Sequence, residues 1–490
     1  MKYFLQSSVH IMLGCFFLGC GTQETLILDE EISAIENGLT PAIIVKGEEP
    51  QLFSIYDRMK YHKVPGLSIA IVREGKIRWA KGYGEANTES GAMIDINTLF
   101  QAGSISKPLA ALAALKLVED DKVDLDLDVN SYLTNWKIED NEFTKEEKVT
   151  LRRLLTHTAG MTVHGFPGYQ QTDTFPSIEQ VLNGEGNTPK IYVDTIPGTI
   201  WRYSGGGYTV MEKVVEDVSG LPLEEFIEKN ILTPLGMDNS TFEQPLPTEF
   251  HANASAAYDS EGKLIEGLWH NYPEQAAAGL WTTPSDLAIY CIGVQDILAG
   301  KSDGFLSKET IEMMLTKHKG DWGLGPSLAW DADSLRFQHG GKNAGFTNNM
   351  MAFAHNGDAL IIMTNADNGG RLISEIERSI SNYYQWGISN SKIVDIIDLP
   401  VEQLSKLVGK YKLDFQVPDI GNYIIEITLK NDKLLVFDPN NNDTNVLSAL
   451  DEFNFIDLDK GDEVVFQIQE DTSKIGLLWS NRLQFYKISE

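Results

Sequence analysis

The stretch from Ser104 to Val118 constrains the fold more than any other. Ser104-Ile-Ser-Lys107-Pro108 runs into Leu109-Ala-Ala-Leu-Ala-Ala-Leu-Lys-Leu-Val118, which is apolar nearly all round. A helix of that kind is buried, so other elements must pack around it. Ser104 and Lys107 stand three residues apart, a spacing that puts both on one helix face. The expectation is a helix with Ser104 at its start and the Lys107 amine beside the hydroxyl. A serine hydroxyl is a weak nucleophile until a neighbouring base takes its proton. The free N–H groups and partial positive charge of a helix N-terminus suit an oxyanion. Pro108 falls in the first turn, where its missing N–H costs nothing. Taken alone, Ser-x-x-Lys also arises by chance as a helix start with a solvated lysine.

With 490 residues and 42% hydrophobic content, the chain is long enough for two domains and a sizeable core. A formal net charge of −30, without any basic stripe, excludes nucleic acid as a main partner. Of the three cysteines, Cys15 and Cys20 lie in the first twenty residues, and Cys291 sits in an apolar helical run as a small core residue. No internal disulfide framework and no zinc-ligand spacing follow, so neither metal nor cofactor is expected. Asp124, Asp126 and Asp128 alternate with leucine but lack the glycine and closing glutamate of a calcium loop, and read as a solvated connection.

Residues 1–19 read as an export signal. Lys2 gives the positive start, Val9 to Leu18 is mostly apolar, and the run is too short to span a bilayer. It ends Phe17-Leu18-Gly19-Cys20, which resembles the lipobox of bacterial lipoproteins, where the cysteine is lipidated and becomes the new N-terminus. Cys15, after Met-Leu-Gly, is a rival, and an ordinary cleaved signal is the other reading. Lipidation at Cys20 implies an exported, cell-envelope protein held to a membrane by acyl chains, with residues 20–44 as a polar, acidic tether.

Gln51 to Lys63 reads as an amphipathic helix with Leu52, Ile55, Tyr56 and Met59 on one side. Leu67–Val72 and Ile77–Tyr83 read as paired strands about a turn. Val149 to Met161 reads as a helix capped by Thr150 and ended by Gly160, with His157 in a structural place. Residues 162–196, rich in Gly, Pro, Thr and Asn, read as an irregular wall over a substrate cleft. Tyr203-Ser-Gly-Gly-Gly207 lets backbone approach closely before a helix over Thr209–Val218. Ala276 to Asp286 reads as a strand end and helix start, with Thr283 or Ser285 as cap. Leu335 to Gly341 reads as a strand ending His339-Gly340-Gly341, followed by a hairpin about Asn356-Gly357 and a closing helix over Arg371–Trp386. Sheet and helices together give an α+β layered fold. Beyond Pro400 the texture changes to short strands, which read as an all-β, barrel-like domain over 400–490.

Ser104-Ile-Ser-Lys107, Tyr203-Ser-Gly205 and His339-Gly340-Gly341 occur in that order. Between them lie Leu154-Leu-Thr-His-Thr-Ala-Gly160 and Gly279-Leu-Trp-Thr-Thr-Pro-Ser-Asp286. The set resembles the serine β-lactamase and D,D-peptidase superfamily, specifically the class C β-lactamase-like serine hydrolases, over roughly residues 45–388. A catalytic domain over 45–390 with that antiparallel sheet flanked by helices is the expectation. The resemblance implies Ser104 as the acyl-forming nucleophile and Lys107 with Tyr203 as the proton-transfer pair, leaving open which of the two is the base. It implies His339 at the family's strand lysine, with Gly340 and Gly341 leaving room for a substrate backbone. The oxyanion hole falls to the N–H groups of Ser104 and Lys342. Two departures matter. Gly205 stands where class C β-lactamases carry Asn, and His339 replaces a lysine that would attract a carboxylate. Both favour an esterase, amidase or D-amino-acid peptidase acting on a small-molecule or peptide substrate. A true β-lactamase or penicillin-binding D,D-carboxypeptidase is the first rival reading, and a non-catalytic peptidoglycan binder the second.

Overall fold

The computed structural model describes residues 18–488 apart from 303, 332–333, 418–419, 441 and 469–474. Most of the export-signal stretch therefore lies outside the described residues. The chain divides into two compact units, Tyr56–Ile373 and a second made of residues 1–55 with Ser374–Glu490.

The first unit is built on a seven-stranded antiparallel sheet. Its strands are β1 (Gly66–Arg73), β2 (Lys76–Asn87), β3 (Ala92–Met93), β4 (Ser327–Asp331), β5 (Ser334–Asn343), β6 (Phe346–Phe353) and β7 (Ala359–Thr364). They lie in the order β3-β2-β1-β7-β6-β5-β4. The order joins an N-terminal hairpin to a C-terminal meander through β1 and β7, with Ile69 opposite Ile362. Three helices matter for the site: α1 (Ser106–Glu119), α2 (Gly205–Ser219) and α3 (Pro284–Leu298). Helix α3 packs on the sheet and buries Leu287, Cys291 and Val294, so Cys291 is a free core thiol as expected. Helix α1 is enclosed, with Leu109, Leu112 and Leu115 wholly without exposed surface. Each such leucine contributes about 1.5–3 kcal/mol on burial, which is why an all-round apolar helix can sit at the centre of this unit.

Several expectations shift. Ser104 lies in a 3-10 turn, Gly103–Ile105, one step ahead of α1. The amphipathic helix is only Ile55–Tyr61, with Ile55 and Met59 buried but Leu52 and Tyr56 more than half exposed. The Thr150 cap is present, its hydroxyl accepting from the Arg153 N–H at 3.3 Å, but the helix ends at Leu155, before Gly160. The wall 162–196 contains a short helix, Ile178–Asn183, closed by a capping box between Ser177 and Gln180. Helix α2 begins on the glycines themselves, and Gly220 ends it in the left-handed region. The strand end and helix start expected over Ala276–Asp286 are the short strand Trp281–Thr282 and α3 with Thr283 as its cap, and ahead of them Gln275–Gly279 forms a π-helical turn. The acidic connection holds Arg152, whose Nε and Nη2 each donate to Asp126 at 2.7 Å.

In the second unit, residues 20–44 are more than a tether. The helix Leu18–Glu36 spans Cys20, and strand Ile43–Val45 pairs in parallel with Lys392–Val394. Residues 400–490 carry the expected barrel. It is closed, antiparallel and eight-stranded: β8 (Gly409–Val417), β9 (Gly421–Lys430), β10 (Lys433–Asp438), β11 (Asp443–Ala449), β12 (Asn454–Asp457), β13 (Glu463–Ile468), β14 (Ile475–Trp479) and β15 (Leu483–Ile488). Strands β8 and β11 have the weakest sequence signal. Both carry charged or polar residues at exposed positions, which weakens the strand signal.

Candidate active site

Ser104 is the one half-buried residue in a buried run from Gln101 to Leu115. The turn that holds it is pinned by the side chain of Ser106, which donates to the Gly103 carbonyl at 2.6 Å and accepts from the Leu280 N–H at 3.0 Å. Beside it, the Lys107 Nζ lies 3.0 Å from Ser104 Oγ and 2.7 Å from the Ala277 carbonyl. The carbonyl comes from the π-helical turn Gln275–Gly279. Lys107 is 2% exposed, and burial brings its amine down from the usual lysine range to about 7.

Tyr203 precedes α2, whose N-cap is Ser204. Its hydroxyl faces Ser104 without a well-formed hydrogen bond, and burial pushes the phenol far above its ordinary range. The Lys107 amine stands 5.0 Å from the Tyr203 ring centre. His157 lies against that ring with centroids 4.2 Å apart, and its Nδ1 accepts the Ser204 N–H at 3.1 Å. His157 takes a left-handed conformation, φ 57°, which is uncommon outside glycine and asparagine. Its ring is buried and neutral, held below the usual histidine range by burial and then by Lys107. Sequence reasoning gave His157 only a structural place; the fold puts it in contact with the tyrosine.

Strand β5 brings His339, Gly340, Gly341 and Lys342 past the Ser104 turn. A Cβ on Gly103 would sit 2.6 Å from the Lys342 nitrogen, which locates that N–H beside the serine turn. The two glycines differ. A Cβ on Gly340 would meet only the Asn348 carbonyl oxygen at 3.8 Å, so this position is open. A Cβ on Gly341 would lie 1.9 Å from the Ala102 carbonyl oxygen, so Gly341 leaves room for the protein's own turn, not for a substrate. Gly205 is likewise covered: its N–H donates to His164 O at 3.0 Å, and a Cβ there would meet Phe166 at 2.8 Å. His339 is buried, its Nδ1 lies 2.6 Å from the Gly340 carbonyl, and its Nε2 has no partner. Burial first and Lys107 second bring it down to about 3, so the imidazole is neutral.

Other parts carried no motif. Trp322 closes one side, its ring 5.0 Å from His157, 5.8 Å from Tyr203 and 5.5 Å from His339. Asn343 donates to Gln101 Oε1 at 2.9 Å and the Ala278 carbonyl at 3.0 Å, and Asn348 donates to the Gln101 carbonyl at 2.9 Å. These amides fasten β5 and β6 to the serine turn. Glu274 is wholly buried just before the π-helical turn, neither carboxyl oxygen has a partner, and burial raises it to about 8. The arrangement offers a hydroxyl, an amine of near-neutral affinity for protons and a protonated phenol, with the Lys342 N–H beside the serine turn.

The layered antiparallel sheet, the Ser-x-x-Lys turn, the tyrosine loop and the glycine-bearing strand together define a β-lactamase-like hydrolase. The chain belongs to the beta-lactamase family, which it matches over residues 55–380. It is 28% identical over 338 residues to a Bacillus subtilis (strain 168) protein named as a penicillin-binding protein, PbpX, covering 67% of this chain and 78% of that one. It is also 28% identical over 225 residues to the teichoic acid D-alanine hydrolase of Staphylococcus aureus, covering 45% of this chain and 52% of the relative, about half its length. Among solved structures, the octameric penicillin-binding protein homologue from Pyrococcus abyssi superposes with a TM-score of 0.60 at 25% identity, over 88% of this chain and 98% of that one. As a member of this family with a named hydrolase among its relatives, the chain is a hydrolase.

Proposed function

We propose that the protein is a serine hydrolase that works through an acyl-enzyme on Ser104. The single observation that carries this is the Lys107 amine at 3.0 Å from Ser104 Oγ, brought by burial to about 7. A neutral amine at that distance takes the Ser104 proton as Oγ bonds to the substrate carbonyl carbon. The oxyanion that forms meets the N–H groups of Ser104 and Lys342, donors that in serine hydrolases contribute about 3 kcal/mol each. Collapse breaks the bond to the leaving alcohol or amine, which takes the proton from the Lys107 ammonium through the Tyr203 hydroxyl. Water then adds to the acyl carbon, passes its proton to Lys107, and Ser104 is restored as the acid departs. With the phenol held protonated, Lys107 is the base and Tyr203 the relay.

The substrate we infer is an ester or amide whose acyl part is a D-amino acid, such as a D-alanyl ester of an envelope polymer. The D-alanine hydrolase among the relatives supports this, and so does neutral His339, which gives a substrate carboxylate no cation. We further infer export and lipidation at Cys20 on the lipobox-like sequence, tested by fatty-acid labelling of the parent and Cys20→Ala in a bacterial host. The deciding experiment for function is hydrolysis of a short-chain p-nitrophenyl ester and of D-alanyl-p-nitroanilide by the parent and by Ser104→Ala. Turnover in the parent alone supports the reading. Equal turnover in both, with folding intact, ends it.

A further inference from the structure

The barrel is filled at one end only. There Tyr411, Ile427, Leu447, Phe455, Phe466 and Leu477 pack into a buried core. Toward the other end the inward positions of the same strands leave a cavity of about 370 Å³. An eight-stranded barrel is just wide enough to be filled by side chains or to hold one small molecule. The volume falls within the range of small-molecule pockets, which occur in barrel mouths. The walls are apolar over most of their extent, with Phe415, Ile425, Val436, Trp479 and Phe485 facing in.

One side is polar. Asn445 lines the cavity, is 6% exposed, and its Oδ1 accepts no hydrogen bond. A buried acceptor left unmade is costly and is normally met by a partner. Asp438, Asp443 and Asp462 stand around the same cavity. Each is engaged within the barrel: the Tyr423 hydroxyl donates to Asp438, Lys460 pairs with Asp443, and Ser480 Oγ donates to Asp462 at 3.0 Å. Asp438 is met by the neutral donors Tyr423 and Asn440, so its carboxylate gives the cavity's polar side a negative charge. A carboxylate ligand is repelled there. A neutral hydroxyl can meet the amide but gains nothing from the field, whereas an ammonium group gains from both.

We propose that the barrel cavity binds a small organic cation, a primary amine whose ammonium donates to Asn445 Oδ1 and whose short apolar body lies against Val436, Trp479 and Phe485. The site is made of residues separate from those around Ser104 and does not depend on the catalytic reading.

The test is calorimetric titration of the full chain with n-octylammonium, n-octanoate and n-octanol, in the parent, Asn445→Leu and Val436→Trp. The expected result is saturable one-to-one uptake of octylammonium, octanol at least tenfold weaker, and no uptake of octanoate. Asn445→Leu should weaken octylammonium tenfold or more, and Val436→Trp, which fills the cavity, should abolish uptake. Cooperative melting of each variant shows that the barrel is intact; should Val436→Trp fail it, Asn445→Leu decides alone. No saturable uptake of octylammonium, octanoate or octanol binding as tightly, or an Asn445→Leu variant that binds like the parent, would overturn the proposal.

Discussion

His157 packs against Tyr203 with ring centroids 4.2 Å apart, and its Nδ1 accepts the N–H of Ser204, the next residue in the chain. One side chain thus fixes both the plane of the tyrosine and the backbone that carries it. The acceptor at Nδ1 places the imidazole proton on Nε2, because a neutral ring has one donor and one acceptor. His157→Leu removes the acceptor and leaves the Ser204 N–H buried and unpaired, a loss of about 1–3 kcal/mol. The Tyr203 hydroxyl then wanders, and small displacements of a proton carrier are expensive. The expected outcome is a lower melting temperature and a fall in kcat of ~10-fold or more with KM little changed. Asparagine tolerates the left-handed backbone and offers an acceptor, so His157→Asn should recover part of both. Equal kcat in all three proteins would show that His157 does not position Tyr203.

The Lys107 environment sets a pH profile. Its amine must be neutral to take the Ser104 proton, and burial places its protonation at about 7. The rate of ester hydrolysis should therefore rise with pH through about 7 and level off above it. Tyr203, raised by burial, stays protonated throughout that window. Lys107→Arg keeps a cation that cannot release its proton near neutrality, and its rate should be reduced by ~100-fold or more at pH 7. A pH–rate profile of kcat/KM in the parent, flat from pH 5 to 9, is the outcome that would remove Lys107 as the base.

The two glycines of β5 predict opposite behaviour. Alanine at Gly341 would put its Cβ 1.9 Å from the Ala102 carbonyl oxygen, while alanine at Gly340 would meet nothing closer than 3.8 Å. Backbone must move to admit the first, at a cost of about 1–3 kcal/mol for overpacking. That movement also takes the Lys342 N–H from the serine turn. Gly341→Ala should lower both the melting temperature and kcat. Gly340→Ala should melt like the parent and act only through KM, because its methyl group stands in the open cleft. Melting curves and steady-state kinetics of the pair separate these expectations.

How much of this was legible in the sequence depends on the range of the interactions. Ser104 with Lys107 is a local helical spacing, and the Tyr203 and His339 stretches stand out by their glycines, so a resemblance could tie the three together. The β1–β2 and β6–β7 hairpins carry their own turn and alternation signals. The strand end and helix start within Ala276–Asp286 were legible, but nothing local marked the π-helical turn over Gln275–Gly279, since a short apolar run does not distinguish strand from helix. The Ser177–Gln180 capping box was a readable signal for the helix Ile178–Asn183. Trp322 and the Gln101, Asn343 and Asn348 amides had none, since their partners are far away in the chain and meet only in the folded sheet. The same holds for Gly341: that its space belongs to Ala102 is a tertiary fact.

Glu274 gives a prediction about stability that is separate from turnover. Its carboxyl is buried with both oxygens unpartnered, and burial raises it from the usual carboxylate range to about 8. In the unfolded chain the same group ionises near 4.3. Below that value it is protonated in both states and costs nothing electrostatically. Between about 4.3 and 8 the unfolded chain releases the proton and the folded chain keeps it, so this group's contribution to stability falls steadily as pH rises and levels off above 8. Each unit of difference corresponds to about 1.4 kcal/mol, so the whole effect is on the order of a few kcal/mol. Glu274→Gln removes the ionisation and keeps the shape. The variant should gain stability relative to the parent between pH 5 and 8, with little difference at pH 4, in denaturant unfolding followed across that range. A constant difference between the two proteins at every pH would mean that Glu274 is ionised in the fold, which would require a cationic partner for a carboxylate that has none here.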